Sequence, residues 1–342
     1  MIDLRSDTVT KPTAGMLDAM CKAEVGDDVF GEDPTTNLLQ EKVAKLLGKE
    51  DSLFVASGTM ANQLSLRAQT QPGDEIIVER NSHIFNSESG GGAALSGVQF
   101  YLLEGERGIL DPSQIEKVIR DSRDHHRPVT RLVWIENTHN RGGGSIYPLE
   151  VVKEIFRVAR RNNLLVYMDG ARLLNAAIAL GVDPKEYTQY VDSTILCLSK
   201  GLGAPVGTMV AGSRQFINRV HRFRKMFGGG MRQIGYLAAA GIYALDHHVE
   251  RLAEDHANAK RLAEAISEFK SFEINPKNVQ TNIIYFEIID QGMNSKVVVS
   301  KLKDKGVLVL PRDDHSIRAV THLGVDKDDI EQAISIMKKL FP

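Results

Sequence analysis

The stretch "VDSTILCLSKGLGAPVG", Val191 to Gly207, decides how the chain is read. Its apolar, partly β-branched run "STILCLS" predicts a strand across 193–200, and the run delivers a lysine, Lys200, straight into a glycine turn. A lysine at a strand end is ordinarily a solvated charge. The other reading is that the sheet carries an amine out of its core and holds it for chemistry. The surrounding sequence bears on which applies.

Further apolar runs of strand length lie at 51–56, 74–79, 98–103, 131–138, 164–170 and 207–212, and most are separated by helical patterns such as "PLEVVKEIFRVARRNN". Alternation of this kind predicts an α/β domain, with a large mixed or parallel sheet covered by helices. From Leu237 to Phe269 the pattern reads as one long helix. Strands at "TNIIYFEI", "GVLVLP" and "SIRAVTHL" follow, interleaved with two amphipathic helices. The expected organisation is a large α/β domain over 1–244 and a small C-terminal α+β domain over 245–342.

Bulk properties exclude several classes of function. The 342 residues are 42% hydrophobic and 25% charged, and 42 Lys+Arg face 44 Asp+Glu. No excess charge is available to attract a nucleic-acid backbone or an anionic bilayer. No apolar run reaches the length of a membrane span, and "MIDLRSDTVTKP" has no signal-peptide core. The two cysteines, Cys21 and Cys197, make no disulfide framework and read as reduced thiols, which fits a cytoplasmic protein.

Four strand ends carry candidate chemistry. In "MDGARL" an apolar strand ends at Asp169, with Arg172 just beyond. One helix and a turn separate it from Lys200, so a βαβ crossover puts the acid and the amine on one rim of the sheet. "ASGTMANQ" ends a strand and opens a helix on Gly58 and Thr59, whose free N–H groups suit an anion. His83 follows the strand "DEIIVE" and faces the same rim. Read singly, these are a helix cap, a surface charge, an N-cap and a structural histidine. Together, a phosphate cup, a flat aromatic, a carboxylate and an amine are what pyridoxal 5′-phosphate (PLP) requires: the amine condenses with the aldehyde, and the carboxylate keeps the pyridine nitrogen protonated.

The segments "LRSDTVTKPT", "GDDVFGEDPT", "SHIFNSESGG", "IENTHNRGGG", "MDGARLLNA", "CLSKGLGAPVG", "KMFGGGMRQ" and "IRAVTHLGV" extend this pattern to about residue 325. In them the chain resembles the low-specificity L-threonine aldolases, fold-type-I PLP enzymes with the transferase-like fold. The resemblance implies that Lys200 is the Schiff-base lysine, that Asp169 pairs with the pyridine nitrogen and that His83 stacks on the ring. It implies a phosphate site at Gly58, Thr59 and Ser199, with Arg232 and Lys225 reaching in from a neighbouring subunit of a homotetramer. Ser6, Arg172 and Arg318 match residues that bind the substrate carboxylate, and His126 matches a histidine near the β-hydroxyl. The implied reaction is retro-aldol cleavage of threonine or allo-threonine to glycine and acetaldehyde, with His83 or His126 as base. No metal is implied at the catalytic site. One departure stands out: where similar enzymes carry an aromatic residue after "HIF-x", this chain has Ser87, followed by Glu88. Rival readings are β-elimination or racemisation on the same scaffold, and a PLP-binding regulator without catalysis.

Overall fold

The computed structural model describes residues 1–341. After a short N-terminal strand, β1 (Ile2–Asp3), seven strands build the central sheet: β2 (Asp51–Val55), β3 (Glu75–Glu79), β4 (Gln99–Leu103), β5 (Thr130–Glu136), β6 (Leu165–Asp169), β7 (Ser193–Cys197) and β8 (Thr208–Gly212). Their order across the sheet is β2-β8-β7-β6-β5-β3-β4. Only β8 runs antiparallel to its neighbours. The reason lies in the connections. Parallel neighbours need a crossover, whereas the glycine-rich segment between β7 and β8 contains no helix, so the chain can only turn back beside itself. Lys200 sits in that reversal.

Both faces of the sheet are covered, and the alternation of side chains shows it. Ile77, Val133, Val166, Met168 and Leu196 point into one core, and Ile76, Val78, Leu132, Trp134, Tyr167 and Ile195 into the other. A sheet buried on both sides leaves its functional groups one place to emerge, the carboxyl edge of the parallel strands.

The C-terminal unit is an antiparallel sheet of order β12-β13-β10-β9, made of β9 (Phe272–Glu273), β10 (Ile283–Ile288), β12 (Leu310–Pro311) and β13 (Ser316–Val320), with β11 (Val307–Leu308) preceding β12. Two features differ from the sequence expectation. First, β1 pairs in parallel with β11, and Ile2 and Leu4 are buried in the C-terminal core, so the first residues pack with the end of the chain. The arm then crosses back, where Thr10 Oγ1 donates to the Lys200 carbonyl at 3.1 Å. Second, the long helix is two, Gly235–His247 and Leu252–Ile266. The first packs Ala238, Ala240 and Ala244 into the large core and the second packs Ala259, Leu262 and Ile266 into the small one, so the axis must change between them. His248 Nδ1, at 2.7 Å from the Leu202 carbonyl, marks the break. Both cysteines are free, Cys197 buried and Cys21 exposed. Among the described residues no helix is long and apolar enough to cross a membrane.

Candidate active site

A pocket of about 360 Å³ opens at the carboxyl edge of β5, β6 and β7, where the N-terminal arm and β13 come down on the large sheet. It is lined by Ser6, Gly58, Thr59, His83, Asp169, Arg172, Ser199, Lys200 and Arg318. These nine residues come from the N-terminal arm, from four strand ends of the large sheet and from β13, and the fold converges them.

Asp169 is the last residue of β6 and is buried. Its Oδ2 accepts from Asn62 Nδ2 at 2.8 Å and its Oδ1 from the Ala171 N–H at 3.1 Å. No cation forms an ion pair with it among the described residues. Burial, followed by the charge of Glu136, pushes its pKa up. A carboxylate in that position is suited to a positively charged partner arriving from outside the chain.

His83 opens a short helical turn after β3, and Glu136 Oε2 accepts its backbone N–H at 2.8 Å. Its Nδ1 lies 2.7 Å from Glu88 Oε1. Burial opposes protonation of the ring, but the bond to Glu88 and the charges of Asp169 and Glu136 outweigh it, and the pKa is raised. Glu88, itself buried, is held by Asn62 Nδ2 and Gln63 Nε2, each at 2.7 Å. Asn62 is in turn oriented by the Tyr167 hydroxyl, which donates to its Oδ1 at 2.8 Å. One amide therefore ties the histidine's carboxylate to Asp169. His83, Glu88 and Asp169 also lie close enough to resemble a metal site, but the Asn62 amide already bridges the two carboxylates.

The helix Gly58–Gln69 starts at the pocket with Ser57 as N-cap, its Oγ accepting the Met60 N–H at 3.2 Å. The N–H groups of Gly58 and Thr59 remain for an anion. Close approach favours glycine here: a Cβ on Gly58 would stand 3.1 Å from Cys197 Sγ, a tight contact.

The two arginines differ. Arg172 is buried and bonds Asp7 bidentately, Nε to Oδ2 at 2.6 Å and Nη2 to Oδ1 at 2.7 Å. Arg318 reaches across from β13, donating to the Arg5 carbonyl at 3.2 Å and to Asn140 Oδ1 at 3.1 Å, while its buried Nε has no partner. Ser6 lies beside it, its Oγ accepting from the Thr8 hydroxyl at 2.9 Å.

Three expected site residues are not brought to this pocket within the chain. His126 is exposed on the loop before β5, at the opposite rim of the sheet, its ring against His125. Arg232 bonds Asp27 at 2.8 Å, and Lys225 lies on the surface of the helix Arg214–Met226. Ser87 is exposed and does not line the pocket. Sequence reading passed over Asp7, Asn62, Glu136 and Asn140 and noted Glu88 only for its position. All five are polar residues in motifs already singled out, which was the available signal, and the structure shows them buried or half-buried.

The chain matches the beta-eliminating lyase family over residues 3–289. It is 43% identical over 333 residues to the low specificity L-threonine aldolase of Escherichia coli strain K12, covering 97% of each chain. It is 34% identical to the alanine racemase TOXG of Cochliobolus carbonum, over 98% of this chain and 86% of that one. The threonine aldolase of Leishmania major superposes with a TM-score of 0.84 over 99% of both chains at 18% identity, a likeness of fold. The chain therefore belongs to the low-specificity L-threonine aldolases of the β-eliminating lyase family, with the fold-type-I architecture.

Proposed function

We propose that this chain is a PLP-dependent lyase of amino-acid metabolism that cleaves L-threonine, L-allo-threonine and related β-hydroxy amino acids to glycine and an aldehyde. The observation that carries it is one pocket holding Lys200, Asp169 and an arginine with an unpartnered donor, Arg318. A pure cofactor carrier needs no such arginine.

The residues fit the cofactor. Lys200 would hold its aldehyde carbon, Asp169 its protonated ring nitrogen, His83 the ring face, and Gly58, Thr59 and Ser199 the phosphate. Bound there, PLP supplies an electron sink for the pair released when a bond at Cα breaks. The remaining work falls to the chain. Arg318, steadied by Asn140, takes the substrate carboxylate in a charge-assisted bond and so fixes which bond at Cα faces the ring. Ser6 adds a donor, and Arg172, paired with Asp7, frames the pocket beside them. His83 is the base for the β-hydroxyl proton: Glu88 holds Nδ1, leaving Nε2 for the reactant. Lys200 is placed to return a proton to Cα.

Arg232, Lys225 and His126 take part only if a neighbouring subunit brings them, as in a homotetramer with shared sites. Exposed Phe30 (72%), whose ring lies 5.9 Å from the Arg232 guanidinium, and exposed Met226 (67%), next to Lys225 in sequence, support a subunit contact there. The two free cysteines suit the reducing cytoplasm.

The test is product analysis with L-threonine, L-allo-threonine and L-serine. Acetaldehyde with glycine is expected. A keto acid with ammonia would make it an eliminating lyase, and racemised amino acid would place it with the racemase relative. Lys200→Ala should remove the visible absorption of the bound cofactor together with turnover, and persistence of that band in the variant would dismiss Lys200.

A further inference from the structure

A second cavity, of about 340 Å³, lies in the cleft between the large sheet and the C-terminal unit. Arg107, Arg141 and Asn81 line it from the large side, and Arg312, Tyr285 and Asn275 from the small side. None of its three arginines forms an ion pair with a carboxylate among the described residues. Arg107 donates to the Asn278 carbonyl, Arg312 lies over the Tyr285 ring at 4.6 Å, and Arg141 has no hydrogen-bond partner. Nearby acids act on them only at a distance: Arg107 feels the charge of Glu106, and Arg312 lies near Asp313 and Glu287. Glu104 pairs with Arg80, Asp313 accepts from Ser316 Oγ and the His315 N–H, and Glu106 makes no ion pair with Arg107. Three guanidiniums around one small cavity, none of them in an ion pair in a chain of net charge −2, gather positive potential there with five-donor forks to offer.

The cavity is linked to the carboxylate clamp on both sides. Tyr285 is the direct cross-strand partner of Arg318, so Arg312, Tyr285 and Arg318 follow one face of the small sheet. On the large side, Asn140, which receives Arg318, lies between two cavity-lining residues, His139 and Arg141.

We propose that this cavity binds a small multivalent anion, carrying phosphate or carboxylate groups, and that the anion strengthens substrate binding. An anion held by Arg141 on one side and Arg312 on the other draws the two units together in the arrangement in which Arg318 meets Asn140. Linkage then requires the converse: a ligand on Arg318 tightens the anion. The coupling rests on the assignment of Arg318 above; the anion site itself does not.

The experiment is calorimetric titration of the holoenzyme, whose own phosphate site is filled, with inorganic phosphate and separately with citrate. One anion per chain is expected to bind, with affinity falling at least tenfold in Arg141→Ala/Arg312→Ala. Phosphate binding alone points to a phosphate ester, and citrate alone to a polycarboxylate. Saturating glycine should tighten the anion severalfold, and the anion should lower KM for threonine without changing kcat. Failure of both anions to bind the wild type, or equal affinity in the double variant, overturns the site. Equal anion affinity with and without glycine, once glycine is shown to bind, overturns the coupling and leaves the aldolase assignment intact.

Discussion

Arg172 and Arg318 enter the same pocket and are held in opposite ways. Arg172 arrives from the end of β6 and meets a buried carboxylate in a two-bond fork. Arg318 arrives from the C-terminal sheet and rests on neutral oxygens, with one donor unused. The electrostatics follow. Burial alone would raise the Asp7 pKa and lower that of Arg172, but each charge reverses the shift of the other, so Asp7 falls far below the carboxylate range and Arg172 rises. For Arg318, burial and the nearby Arg172 charge lower its pKa, with weaker opposition from Tyr285 and Asp7. A compensated guanidinium is part of the frame. An uncompensated one is poised for an incoming anion, and a substrate carboxylate is that anion.

Breaking the compensated pair should have the largest effect. Asp7→Asn leaves Arg172 buried without its countercharge and should lower stability by about 3–5 kcal/mol in denaturant titration. A loss within error of zero would mean that the pocket hydrates Arg172 on its own. Arg318→Ala should leave stability nearly unchanged and weaken glycine or threonine binding by about 1.5–3 kcal/mol, a tenfold to hundredfold rise in KM. Equal affinity would remove Arg318 from the clamp and with it the contrast.

The pH dependence of the Asp7 effect sharpens the comparison. The Asp7 pKa is depressed on folding, so the pair stabilises fully above the ordinary aspartate value of about 3.9 and loses that contribution as pH falls toward the depressed value. Stability curves of wild type and Asp7→Asn should therefore converge on acidification, and a constant gap down to pH 2 would contradict the pairing. A smaller effect is expected at His83. Glu88→Gln replaces the carboxylate that raises its pKa with a neutral acceptor, so the His83 limb of the kcat/KM profile should move to lower pH. An unmoved limb would assign that limb to another group.

The proposed sharing of sites between subunits makes the last prediction. Mixed oligomers of Lys200→Ala and Arg232→Ala chains should regain part of the activity each lacks, because some pockets then draw both intact residues from different subunits. Absence of recovery would make each chain's pocket complete in itself.

Much of this protein was legible in the chain itself. The seven central strands fall within two residues of their apolar runs except at the C-terminal end of β7, which the expected run 193–200 outlasts by three. Lys200 thus stands beyond β7 and not within it. The strand-to-glycine transitions at Gly58, Asp169 and Lys200 marked the sheet edge because buried strands must end where polar groups can emerge. What local pattern could not decide was pairing. Nothing in "LRSDTV" says that Ile2 and Leu4 belong to a core built from residues near 307, or that Asp7 faces Arg172 and Arg318 does not. The Asn62 bridge between Glu88 and Asp169 is equally non-local. Residue types and local spacing determined which groups stand at the rim; only the tertiary fold decided which charge neutralises which, because Coulomb and hydrogen-bond energies depend on distances between segments far apart in sequence.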